Sequence, residues 1–234
     1  MNATTQMHLA TRSDAGAILR VMQTKRQTRA FYNKISRVYD LLSERSEAPM
    51  RKTGLNLLKV RPGERVLEIG FGTGHSLVAL AKAVGPQGKV FGLDLSDQMF
   101  KQAKSNLVAA SLLDRVRLRF GDGVKLPYGN DTMDGVIMSF TLELFDTPEI
   151  LQVLAQCRRV LRPGGRLVVV GMSKDAKRVP LVGLFEWTHK HFPNFLNCRP
   201  IFVRRALEQA GFRIQRAVVK HMWIQVEIVL GLKA

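Results

Sequence analysis

Apolar positions recur along this chain with two alternating periods. The first stretch is helical: Ala15, Ile18, Leu19 and Met22 share one face, and Arg20, Lys25, Arg26 and Arg29 crowd the other. This spacing predicts a basic amphipathic helix from Asp14. "AFYNKISRVYDLL" (30–42) continues with Phe31, Ile35, Val38, Tyr39 and Leu42 on one side, and "RKTGLNLLKV" (51–60) predicts a further helix ended by the turn "RPGE". From there the period changes repeatedly. "RVLEIG", "KVFGLDL", "RVRLRFGD", "MDGVIMSF" and "RLVVVGM" are short β-rich runs, separated by the helical patterns "SLVALAKAVG", "DQMFKQAKSNLVAA" and "PEILQVLAQCRRVL". A helix "IFVRRALEQAG" and two closing strands, "FRIQRAVVK" and "MWIQVEIVLGL", complete the chain.

Strand–helix alternation of this length predicts a doubly wound α/β sheet of seven strands. We divide the chain into a basic helical arm or cap over 1–60 and one α/β domain over 61–234. The segment "VPLVGLFEWTHKHFPNFLNCRP" (179–200) is an irregular, aromatic insertion between the fifth strand and the next helix. There is no internal repeat.

Composition narrows the picture. At 234 residues, 46% apolar and 24% charged, the chain can bury a full core, which argues against general disorder. No apolar run approaches the roughly 20 residues of a membrane-spanning helix. The opening residues lack a basic segment followed by an apolar one, so no signal peptide is expected. Cys157 and Cys198 lie far apart without ligand spacing and read as reduced thiols of a cytoplasmic protein, with no metal site. Thirty-six Lys and Arg against nineteen Asp and Glu give a net charge of +17, which favours an anionic partner: a membrane surface, nucleic acid or a phosphorylated substrate. The basic residues are spread out, and we find no recognisable RNA-binding module, so nucleic acid is the less favoured of these.

The loop "VLEIGFGTGHS" (66–76) joins the first strand to the first helix of the alternating region. Its frame is GxGxG rather than the GxGxxG of dinucleotide sites. Glu68, two residues before Gly70, would repel a pyrophosphate and attract a cationic group. Asp94 ends the second strand, 20 residues after Gly74, where a carboxylate can accept hydrogen bonds from a ribose diol. Asp122, after the third strand, reaches the same crevice, placed to accept from an adenine amino group.

In order and spacing, "VLEIGFGTGHS", "VFGLDLSDQM", "FGDGVKLPY", "MDGVIMSFTLEL" and "LRPGGRLVVV" resemble the successive motifs of class I S-adenosylmethionine-dependent methyltransferases over about residues 30–172. "FYNKISRVYDLL" and "LRPGGRLVVVGMSK" are most similar to the ubiquinone/menaquinone biosynthesis C-methyltransferase family, and bacterial phosphatidylethanolamine N-methyltransferases share the general pattern. The resemblance implies a mostly parallel seven-stranded sheet with an antiparallel last strand, and S-adenosylmethionine as cofactor. It implies that Gly70, Gly72 and Gly74 back the methionine moiety while Glu68 holds its ammonium. Asp94 would hold the ribose, Met99 would pack on the adenine, and Asp122 would bind the adenine amine beside Gly123. Ser139 would face cofactor and substrate, and Tyr39 would close over the cofactor.

Methyl transfer needs an aligned nucleophile and exclusion of water, and a base only where the nucleophile must lose a proton. Glu143, His189 and His191 are the candidate bases. The residues "SFTLEL" (139–144) disfavour adenine and glutamine N-methylation, which use Asn or Asp followed by Pro-Pro-Tyr. The quinone family's Arg–Asn pair beyond "SF" is replaced here by Leu142, Glu143 and Leu144. The apolar insertion beside many Lys and Arg residues leads us to expect a lipophilic or amphiphilic acceptor, either a polyprenyl quinone precursor or a phospholipid amine. Leu181, Leu184, Phe185, Trp187, Phe192 and Phe195 would line its pocket, and the enzyme would act peripherally at an anionic membrane. RNA methylation over the basic surface is the alternative.

Overall fold

The computed structural model describes residues 18, 20, 21, 23–174 and 199–234, and of 35–45 the backbone only. The expected insertion at 179–200, with His189 and His191, lies almost wholly outside the described residues, as do residues 1–17.

Seven strands form one sheet: β1 (Arg65–Ile69), β2 (Lys89–Asp94), β3 (Val116–Phe120), β4 (Met133–Ser139), β5 (Leu161–Met172), β6 (Phe212–His221) and β7 (Gln225–Lys233). Their order is β3-β2-β1-β4-β5-β7-β6. Pairings from β3 through β5 are parallel, while β7 runs antiparallel between β5 and β6. The expected mostly parallel sheet with an antiparallel last strand is the observed one. Its interior strands read as continuous apolar runs because both faces are covered; β4 is buried from Met133 to Met138.

Among the described residues, five α-helices cover the sheet: α1 (Lys25–Leu58), α2 (His75–Val84), α3 (Asp97–Ala109), α4 (Thr147–Val160) and α5 (Val203–Gln209). Two large apolar cores result among the described residues. Met50 and Leu58 of α1 join α2 and α3 on one face, and α4 and α5 close the other. Among the described residues, no helix is long and apolar enough to cross a membrane.

The arm differs from the expected helices. The described residues between Ile18 and Thr24 are not helical; α1 starts at Lys25, where Thr24 and Gln27 cap it reciprocally. It then runs unbroken to Leu58 through Pro49, joining the two helices that the sequence predicts separately. Immediately after the exposed Pro49 a buried stripe of Met50, Gly54 and Leu58 packs on the sheet, and that packing outweighs the lost backbone donor. Gly54 lies so close to the sheet that an added Cβ would stand 2.6 Å from Val170 Cγ2.

The strand order reverses between β1 and β4, so their carboxyl ends splay and leave a crevice. This switch point is where an open α/β sheet binds its ligand.

Candidate functional site

A cavity of about 340 Å³ opens at that switch point. Gly70 and Gly72 of the glycine loop, Asp94 and Met99, Asp122 and Gly123, and Ser139 all lie on its wall. The sequence separates these residues by up to 69 positions; four parallel strands ending at one level bring them together.

The glycines do different work. Gly72 has φ +54° and nothing within 4 Å of where a Cβ would stand, so its bare backbone faces open space. Gly74, at φ +89°, caps α2, and a Cβ there would meet Ala103 Cβ at 2.9 Å. It is absent from the cavity wall, and its lack of a side chain lets α2 approach α3.

Asp94 is held by two backbone amides. Its Oδ2 accepts from the Gly72 amide at 2.9 Å and its Oδ1 from the Ser96 amide at 2.8 Å. Burial nevertheless raises its pKa to about 6, with the amides pulling the other way. Glu68 lies beneath the loop, off the cavity wall, and burial pushes its carboxyl up to about 8 against a hydrogen bond from Ser76. Its Oε2 is buried without a hydrogen-bond partner. Asp122 accepts from the Val124 amide at 3.1 Å and meets the Lys25 ammonium.

Lys25 belongs to a wall that the sequence motifs do not mark. Lys25, Thr28, Arg29 and Tyr32 of α1 share one face at helical spacing and close the crevice opposite the loops. Ion pairs hold them there: Lys25 also reaches Glu149 at 2.8 Å, Arg29 reaches Asp97 at 2.7 Å, and Arg20 reaches Asp146 at 2.6 Å. The i, i+3, i+4, i+7 spacing was the available signal; the distant acids that anchor it carry none. Tyr39 sits on α1 within the stretch whose side chains are not described.

Beyond β4 the chain turns sharply. Phe140 has φ +51°, costly for an aromatic residue, and lines the cavity together with Thr141, Leu144 and Phe145. Glu143, in the 3₁₀ turn Leu142–Leu144, is fully buried behind this wall rather than on it. Its Oε1 accepts from the Met172 amide at 3.2 Å, and burial pushes its pKa up to about 8.

The site fits the expected cofactor in three respects. An open glycine backbone adjoins a carboxylate with free lone pairs, a second acid stands at the far end, and an orphaned buried carboxyl oxygen lies under the loop.

Comparison with known proteins agrees. Residues 66–165 match the methyltransferase domain family. The demethylmenaquinone methyltransferase of Halalkalibacterium halodurans is 32% identical over 199 residues, 83% of this chain and 74% of that protein. The demethylmenaquinone methyltransferase of Bacillus mycoides is 35% identical over 65% of this chain and 66% of its own length. Among solved structures, an S-adenosylmethionine-dependent methyltransferase from Aquifex aeolicus superposes with a TM-score of 0.61 at 22% identity, covering 88% of this chain and 98% of that one. The [4+2]-cyclase SpnF superposes with a TM-score of 0.73 at 16% identity, over 93% and 98%. At these identities the structures establish the fold alone, and the cyclase shows that this fold also carries other chemistry.

Proposed function

We propose that this chain, which belongs to the S-adenosylmethionine-dependent methyltransferases and within them to the family of the demethylmenaquinone methyltransferases, methylates a lipophilic aromatic acceptor of the quinone-precursor type. The observation that carries the choice of acceptor is the aromatic wall of Tyr32, Phe140 and Phe145, with Phe140 held in a strained backbone beside Ser139 and Thr141. Aromatic faces suit a planar ring better than a phospholipid headgroup. The named activity of the relatives supports the same class.

S-adenosylmethionine, when bound, supplies an activated methyl group on a sulfonium. This chain's residues would do the rest. Gly70 and Gly72 let the ligand approach the loop backbone, and Glu68, buried beneath that loop, attracts its ammonium directly or through a bridging water. Asp94 accepts from the ribose hydroxyls, Met99 packs on the adenine, and Asp122 receives its amine beside Gly123. The α1 wall excludes water, which strengthens these contacts. A ring carbon becomes nucleophilic as a neighbouring hydroxyl gives up its proton. We assign that proton to His189 or His191; Glu143 is enclosed behind the wall.

Incubation with cofactor labelled on the methyl group and a total cell extract tests the acceptor. Label is expected in the organic phase, on a compound that absorbs as a quinone. Label in RNA, or in a lipid that responds to amine reagents, would overturn the assignment.

Asp94 also predicts a pH dependence. Ribose hydroxyls donate, so they favour the ionised carboxylate, whose pKa in the free protein is about 6. The Asp94 contribution to cofactor affinity is expected to be constant above about pH 6. Below it, affinity should fall roughly tenfold per unit, with proton release on binding near that pH. The stability of the free protein moves oppositely, because a raised carboxyl pKa contributes stability at low pH and loses it as pH rises through about 6. Calorimetry between pH 5 and 8 reads the effect; an Asp94→Asn variant with the same step would refute it.

A further inference from the structure

The other end of the sheet carries a second cleft, of about 530 Å³. It lies between the end of α1, the amino-terminal starts of β5 and β6, and the carboxyl end of β7, away from the switch point. Among the described residues, five cations line it, Lys59, Arg61, Arg162, Arg166 and Arg216, and no carboxylate does.

Two of the five are anchored from below. Arg166 donates to the buried Glu64, and Arg162 reaches Asp134 at 2.6 Å. Glu64 is further fixed by the Arg61 amide at 3.0 Å. The Arg166 side chain is only 15% exposed, and its Nε is buried without a hydrogen-bond partner. Lys59, Arg61 and Arg216 have no carboxylate within ion-pair distance among the described residues. The two acids beneath therefore leave three cationic charges uncompensated in one concave space. Like charges gathered there repel, and the potential they create is focused by the surrounding protein.

We propose that this cleft is a binding site for a small soluble anion with linked phosphate groups, separate from the cofactor cavity. Guanidinium forks match phosphate oxygens two at a time, and four of the five cations are arginines. Leu57, Leu230 and Leu232 beside them offer an apolar wall to the organic part of such a compound. The location argues against a lipid headgroup. A membrane docked at the amino-terminal end of the strands would turn the cofactor cavity away from the bilayer. The site is independent of the acceptor proposed above.

Calorimetry of the full chain with inorganic tripolyphosphate at low ionic strength provides the test. Saturable binding at one site is expected, unchanged by excess S-adenosylmethionine. The double variant Arg61→Gln/Arg216→Gln, which leaves the anchored Arg162 and Arg166 intact, should bind at least roughly tenfold more weakly. Its cofactor affinity and melting temperature should match the parent. The control Lys101→Gln/Lys104→Gln removes equal charge from the exposed face of α3 and should bind tripolyphosphate like the parent. Non-saturable binding, displacement by S-adenosylmethionine, or equal loss in the control would overturn the site. So would flotation with phosphatidylglycerol vesicles that depends on Arg61 and Arg216 while tripolyphosphate binding does not.

Discussion

Asp94→Ala is expected to lower the affinity for S-adenosylmethionine roughly a hundredfold or more, measured by calorimetry at pH 7.5. Two hydrogen bonds from ribose hydroxyls to a carboxylate are each worth about 1.5–3 kcal/mol, and a tenfold change in affinity corresponds to about 1.4 kcal/mol. The substitution has a second effect, because the Gly72 and Ser96 amides both donate to this carboxylate. Losing their acceptor loosens the glycine loop at the point where its backbone faces the ligand. Asp94→Asn separates the two contributions. Its carbonyl oxygen can still take one amide and one hydroxyl, so a loss of about tenfold is expected. An unchanged affinity in Asp94→Ala would remove this residue from the cofactor site and with it the ligand frame built on the strand ends.

That frame was legible in the sequence because its determinants are local. A short apolar run followed at once by a glycine or an acid places that residue at a strand's carboxyl end, and parallel strands bring such ends to one level. Gly70, Gly72, Asp94 and Asp122 reach the same wall for this reason. The sequence motif treats Gly74 like its neighbours, although only its contact with Ala103, 29 residues away, reveals a packing role. The wall from α1 was less legible still. Lys25 and Arg29 show a helical face, but what that face covers depends on Asp122, Glu149 and Asp97, reached only after the sheet has formed. Glu143 illustrates the opposite error. Its position after β4 suggests chemistry, but in a 3₁₀ turn backed by Met172 the side chain folds inward.

The inward fold of that turn rests on Arg199, and Arg199→Leu is the substitution expected to damage the protein most. The side chain is 1% exposed. Its Nη1 donates to the Glu143 carbonyl at 2.6 Å and its Nη2 to Thr147 Oγ1 at 3.2 Å, tying the turn to the first residue of α4. Burial lowers its pKa only to about 10, so it is charged at neutral pH beside Asp146 and Glu143. At neutral pH the substitution takes this donor from the buried Glu143 carbonyl and from Thr147 Oγ1, at about 1–3 kcal/mol for each acceptor. For a chain of this size, that lowers the melting temperature by about 10 °C. Arg199→Lys should recover only part of the loss, because one ammonium on a flexible stem does not reproduce the planar fork.

The loss should also grow with pH, and the sign follows from Glu143. Burial holds its carboxyl pKa near 8, well above the ordinary carboxylate range, while Arg199 pulls it down. A carboxyl raised in this way contributes stability at low pH and loses it as pH rises through about 8. At pH 7 the acid is largely protonated, and removing Arg199 exposes mainly an unpaired carbonyl. At pH 9 the parent holds a carboxylate opposite its guanidinium, whereas Arg199→Leu must bury that charge alone or keep the proton. The difference in melting temperature between parent and variant should therefore be larger at pH 9 than at pH 7, and Glu143→Gln in the Arg199→Leu background should abolish that increase. If the difference is the same at both pH values, the packing of the Arg199 stem rather than its charge holds the turn that shapes the cavity wall.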